Sequence, residues 1–315
     1  MVTADRESST RSTALRIHSR VWLVRTLSAL GAFAEGQCHG EETLRLAMME
    51  GRGDTPILAY SCLGILYLAK GDLEHAIRAF DQGLALCRTS GNRDWLRGIA
   101  TGLGYAYALQ GRIAEGRALL EEAIRESIRT GGLQGHAHQV VRLSEVCRLA
   151  GRCDEAGQHA RQALDLARQH KERAYEALAL HQLGVVHAHA TPLDAEQAEA
   201  CYQQALALAE TLGMRPLQAH CHCGLGTLYA RTGQRAQACV ALSAAIELYR
   251  AMEMTFWLPE AEATLAQVTC SRALATLSEG ATLTVSAPLP TTCSHRSPAG
   301  SPRALRRQTC RTPRR

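Results

Sequence analysis

The stretch LGILYLAKGDLEHAIRAF, Leu63 to Phe80, decides the fold. A Leu-Gly pair is followed three residues later by Tyr67 and seven residues later by a second glycine, Gly71. Small Ala76 and large Phe80 come next. The order returns at Leu103-Gly104 before Tyr107, at Leu183-Gly184 before His187 and at Leu225-Gly226 before Tyr229. Leu143-Ser144 before Cys147 fills the gap. The second residues of these pairs stand at 64, 104, 144, 184 and 226, a period of 40 with one step of 42. Self-similarity at such a period marks stacked structural repeats. Gly71, Gly111, Gly151 and Gly233 are turn residues that end one helix and admit the next. In the fourth repeat Ala190 to Asp194 replaces that glycine and carries the two extra residues. After each turn stands a small residue (Ala76, Gly116, Ala156, Ala198, Ala238). Four positions on stands a larger one (Phe80, Leu120, Tyr202, Leu242), except at Ala160. A spacing of four puts both on one helix face, so that helices approach closely at the small residue and fill space with the large one.

Outward from this core, the composition supports helix. Leu and Ala dominate, and aromatic residues make up only 4% of the chain. Counting back one period from Gly64 and Gly71 reaches Val24 and Gly31, with Leu23, Leu27, Leu30 and Leu44 at matching apolar positions. A degenerate first repeat therefore begins near Arg16. At the other end Phe256, Trp257, Leu258, Ala261 and Leu265 read as a capping helix over 255–268, which a solenoid needs to cover its last apolar face. The expected organisation is a disordered N-terminus over 1–15, a solenoid of about six helix pairs plus the cap over 16–269, and a disordered Pro/Arg-rich tail over 270–315. The tail carries eight Arg against one Glu, so the net charge of +5 belongs to it and the body is slightly acidic. That body has no electrostatic footprint for nucleic acid. No apolar run is long enough to span a membrane, and residues 1–20 lack the apolar core of a signal peptide. The twelve cysteines include no CxxC pair, which fits reduced thiols and a cytoplasmic location.

The repeat from Pro56 to Arg88 resembles the tetratricopeptide repeat: Leu-Gly-x-x-Tyr, a turn, then Ala-x-x-x-Phe. The resemblance implies an all-α, right-handed superhelix of helix hairpins. Two features depart from the family. Tyr60, Ala100, Val140, Leu180 and His222 stand where it carries an early tryptophan, and its closing proline is missing. The period of 40 is longer than the family's about 34, which implies extended helices. The stretches Gly213–Tyr229, Glu253–Glu262 and Leu68–Glu74 further resemble the C-terminal repeat region of bacterial signalling proteins that pair a class III cyclase with a STAND-type ATPase. Neither enzyme segment is present, so no enzymatic activity is carried over.

No chemical motif competes with this reading. Walker A, GxSxG and HExxH are absent, and Gly102-x-Gly104 and Gly224-x-Gly226 read as helix-packing glycines. His220, Cys221, His222 and Cys223 are zinc-type ligands, but consecutive helical residues point about 100° apart and do not converge on one ion. No catalytic residue, cofactor or metal is therefore expected. The family lines its concave groove with the first helix of each pair. That resemblance places His138, Glu145, Arg148, His181, His189, His220 and Arg231 on the groove, continuing from Ser61, Ile65, Leu68, Thr101 and Tyr105. The expected function is a non-catalytic scaffold that binds a protein or peptide in this groove. The alternative is a regulatory domain that senses a small molecule. An open groove favours the first and a closed apolar pocket the second.

Overall fold

The computed structural model describes residues 2–50, 54–91, 95–131 and 135–282, with side chains from Leu15 to Cys270. Six helix pairs follow one another: α1 (Val2–Leu30) with α2 (Phe33–Glu50), α3 (Thr55–Lys70) with α4 (Leu73–Ser90), α5 (Leu96–Leu109) with α6 (Ile113–Thr130), α7 (His136–Leu149) with α8 (Cys153–Gln169), α9 (Arg173–Ala188) with α10 (Ala195–Thr211), and α11 (Arg215–Arg231) with α12 (Arg235–Ala251). A single helix, α13 (Leu258–Thr282), follows. The described residues contain no strand, so this is an all-α superhelix of hairpins.

The tight turns are built as their residues dictate. Gly71, Gly111, Gly151 and Gly233 all have φ between +75° and +91°, the left-handed region that costs glycine nothing. Asp72 caps α4 by accepting a hydrogen bond from the His75 amide at 3.2 Å, and Asp194 caps α10 in the same way from Gln197 at 3.3 Å. A second series of left-handed residues joins successive repeats at Gly91, Gly131, Lys171, Gly213 and Glu253. The extra length of the period goes largely into the second helices, which run 17 or 18 residues from α4 to α12.

Packing explains the small-then-large pattern. Phe80 is fully buried against two glycines, and a Cβ on Gly64 or Gly102 would lie 2.5 Å or 2.3 Å from its ring. Tyr202 repeats the arrangement between Gly184 and Gly224. Each such ring contributes about 1.5–3 kcal/mol through burial. Where Ala160 replaces the ring, Ser144 and Gln182 stand in place of the two glycines. Gln182 donates to Ser144 Oγ at 3.1 Å, and Ser144 donates to the Ala156 carbonyl at 2.6 Å. A buried polar pair thus fills the space with its hydrogen bonds met.

Three boundaries differ from the sequence expectation. Helix α1 starts at Val2, ahead of the start near Arg16, because backbone helix continues through the Ser/Thr/Arg-rich segment. Phe256 and Trp257 lie in the turn before α13, and that helix extends past 268 to Thr282. Leu23 is partly exposed, and Val24 and Leu27 take the core positions of α1. The expectation for the tail falls, over 283–315, outside the described residues.

The first and last repeats also touch. One buried cluster joins Ile17, Val21, Val24, Phe33 and Leu66 to Tyr249, Met252, Met254 and Ala261. Turn glycines make the approach possible: a Cβ on Gly31 would meet Met252 Sδ at 2.3 Å, and one on Gly71 would meet Phe256 Cβ at 2.7 Å. Lys70 pairs with Glu253 at 2.9 Å across the same junction, an exposed contact worth little by itself.

Candidate functional site

The first helices of the pairs turn one face towards the axis of the superhelix. There they line a half-open cavity of about 380 Å³. Arg25, Ser28 and Ala29 reach it from α1; Ile65 and Leu68 from α3; Tyr105 from α5; His138, Arg142, Glu145 and Arg148 from α7; Tyr175, Leu178, His181 and Val185 from α9; and Leu217 and His220 from α11. Met214 and Pro216 border it at the start of α11, and Trp257 flanks it from the turn before α13.

Five of the seven expected groove residues meet here: His138, Glu145, Arg148, His181 and His220. His189 and Arg231 do not. They sit at the C-terminal ends of α9 and α11, beyond the cavity, where each is engaged with the backbone. His189 Nδ1 lies 2.8 Å from the Val185 carbonyl, and Arg231 donates to the Ala188 carbonyl. Ser61 and Thr101 are buried in the helix packing, whereas Ile65, Leu68 and Tyr105 do line the cavity. Arg142 escaped the sequence reading although it stands one helical turn from both His138 and Glu145, where side chains share a face. Arg25 and Trp257 had no local signal, because only the meeting of the two ends brings them in.

The wall is aromatic and hydrogen-bonded. His138 stacks on Tyr175 with ring centres 5.2 Å apart, His181 lies 6.1 Å from His220, and His220 meets the Trp257 edge at 4.8 Å. His220 Nδ1 is 2.8 Å from the Tyr249 hydroxyl. Arg142 donates to Glu145 at 2.7 Å and to His138 Nε2 at 3.2 Å, and its guanidinium lies over the Tyr105 ring at 4.2 Å. The three histidines face the cavity and are half-buried in its wall. Burial, reinforced by Arg142 and Arg25, holds His138 well below the usual imidazole range. Burial brings His181 down to about 4, with Arg148 and Arg142 adding to the effect. Burial, then His181 and Arg142, brings His220 to about 3. All three are neutral at pH 7.

The neighbours of His220 disperse. Cys221 is fully buried in the packing between α9, α10 and α11, and Cys223 packs towards Tyr249 and the cluster that joins the two ends. Burial pushes the Cys223 thiol up to about 11. Among the described residues no three His, Cys, Asp or Glu side chains come together as metal ligands. No described helix is long and apolar enough to cross a membrane.

The tetratricopeptide repeat family profile matches residues 57–90, the second of the six helix pairs. Residues 57–90 are thus a tetratricopeptide repeat, and the helix pairs around them repeat its fold. The chain's repeats share their superhelical path with several known structures. A Rap protein complexed with competence and sporulation factor superposes with a TM-score of 0.61 at 13% identity, over 82% of this chain and 86% of that one. NprR in complex with its cognate peptide NprX gives 0.57 at 11% identity, over 81% and 72%. A STAND protein with a tetratricopeptide-repeat sensor from Pyrococcus horikoshii gives 0.52 at 17% identity, over 79% of this chain but only 38% of that one. At such identities the likeness is one of fold. No curated protein matches the chain in sequence.

Proposed function

We propose that this tetratricopeptide-repeat chain is a non-catalytic interaction scaffold of a bacterial signalling or regulatory system, acting in the cytoplasm, and that its interior face holds a protein or peptide segment. The observation that carries the reading is the convergence of the first helices, α1 and Trp257 on one cavity. Walls that combine apolar side chains with a few placed polar groups suit binding. The cavity offers little for catalysis: its histidines are too weakly basic to take a proton at neutral pH, and its one carboxylate, Glu145, is tied to Arg142. The Rap and NprR structures, each complexed with a factor or peptide, add support by analogy of fold.

A second reading, a regulatory domain that senses a small molecule, is favoured by the narrowing of the cavity where the first and last repeats meet. A photo-crosslinking amino acid placed at Leu178, inside, and at Val240, 73% exposed, tests the interior face. In cells of the source bacterium, the expected result is a discrete protein or peptide adduct from position 178 alone. Equal labelling from both positions would refute the reading.

A further inference from the structure

We propose that the interior cavity is an anion site for a small amphipathic organic acid, whose carboxylate or phosphate head meets Arg148 and Arg25 and whose apolar body lies against Leu68, Leu178 and Leu217. The proposal rests on the second reading, a domain that senses a small molecule, and names the chemistry that the interior selects.

Charge is the first observation. Three arginines and one glutamate line the cavity. Glu145 is consumed by Arg142, which also donates to His138. That leaves Arg25 and Arg148 without a counter-charge. Neither makes a hydrogen bond or ion pair among the described residues; Arg25 only approaches the Trp22 ring, at 4.9 Å. The Nε of Arg148 is buried with no acceptor. A guanidinium cannot shed its proton; apart from the Arg148 Nε, both half-buried guanidiniums open on the cavity, where an anionic acceptor would meet them.

The surrounding groups give the second observation. Every other polar side chain that could have served is either satisfied or neutral. Ser28 donates to the Val24 carbonyl, Gln182 to Ser144, and His220 is engaged with Tyr249. The histidine wall carries no negative charge and, held neutral chiefly by burial, offers the arginines no counter-ion. A guanidinium fork recognises the planar oxygens of a carboxylate or the oxygens of a phosphate ester, and does so more strongly out of water. The remaining wall is aliphatic and aromatic, so the head must carry an apolar body. A volume of about 380 Å³ holds a small ligand.

Isothermal titration calorimetry on the full chain at pH 7.5 tests this with four eight-carbon probes: octanoate, octyl phosphate, octylamine and octan-1-ol. Octanoate or octyl phosphate should bind at a single site about tenfold or more tighter than octan-1-ol, with octylamine weakest. Whichever of the two anions binds tighter identifies the head group. Arg148→Met, which keeps the stem and removes the charge, should erase the preference for the anion and leave octan-1-ol unchanged. Arg25→Met is the second variant should the first fail to fold. If the alcohol and the amine bind as tightly as the acids, the anion site is wrong although the interior still binds. If no probe binds while crosslinking from position 178 still captures a peptide, the anion proposal alone falls. If both fail, the interior reading falls with it.

Discussion

Gly71 and Gly111 occupy the same turn of successive repeats, with φ of +91° and +87°, and form a matched pair for testing the closure of the superhelix. Alanine at either site suffers the same left-handed strain, about 1–2 kcal/mol. It regains about 0.5–1 kcal/mol because glycine loses more freedom on folding. Gly111 has nothing within 4 Å of a new Cβ, so Gly111→Ala should cost no more than about 1.5 kcal/mol on these two effects. At Gly71 the same Cβ would stand 2.7 Å from Phe256 Cβ and 3.0 Å from Trp257 Nε1. Carbon atoms in contact sit about 3.5–4.0 Å apart, so the turn before α13 must retreat by about 1 Å. Overpacking of this kind adds about 1–3 kcal/mol. Gly71→Ala should therefore be clearly the more destabilising of the two in urea titrations followed by helical circular dichroism. If the junction yields instead of straining, the radius of gyration from small-angle scattering should rise for Gly71→Ala and stay constant for Gly111→Ala. Equal losses with equal radii would show that the first and last repeats do not hold each other, and the cavity would go with them.

Three further outcomes are expected. Gly102→Ala should destabilise by about 1–2 kcal/mol in the same titration despite alanine's better helix propensity, because Phe80 is also blocked by Gly64; Phe80→Leu in the Gly102→Ala background should recover part of that loss, and a neutral Gly102→Ala would refute the ring-between-glycines packing. Lys171→Gly should raise the melting temperature slightly, by less than about 1 kcal/mol in stability, since Lys171 is exposed at φ +58° where glycine is unstrained; a lower melting temperature would count against that account. The folded chain holds His181 at about 4 and His220 at about 3, whereas an unfolded histidine titrates near 6.5, so unfolding takes up protons. Stability should be full above about pH 6.5 and fall as the pH drops towards those values, and the double variant His181→Gln/His220→Gln should flatten the decline; an unchanged slope would mean these histidines are not buried as described.

The fold was legible because its determinants are local and repeat. Gly64, Phe80 and Gly102 each announce their role by position in the period, and the pair at 102 and 104 was readable as packing glycines. The substitution of Ser144 and Gln182 for glycines beside Ala160 was legible only in part: the missing ring shows in the sequence, but the hydrogen-bonded filling needs the helices in place. The cavity was legible where it depends on one helix face, as at His138, Glu145, Arg148, His181 and His220. It was not legible at its ends. His189 and Arg231 share the right helices but lie past the cavity's reach, and the arrival of Trp257 and Arg25 at one cavity depends on how far each repeat rotates about the axis. That rotation is a property of the summed packing, and no single residue encodes it.

An open solenoid can gain or lose a repeat and stay folded, because each unit answers only to its neighbours. Here Gly31 and Gly71 are shaped to receive Met252 and the Phe256-Trp257 turn, and they do so only after a fixed number of steps around the axis. Duplicating or deleting one hairpin would carry that turn past its seat, bare two methionines and an indole, and open the chamber. The number of repeats is therefore constrained as tightly as any residue in them, and evolution can vary this chain by substitution within hairpins far more readily than by recombining whole ones.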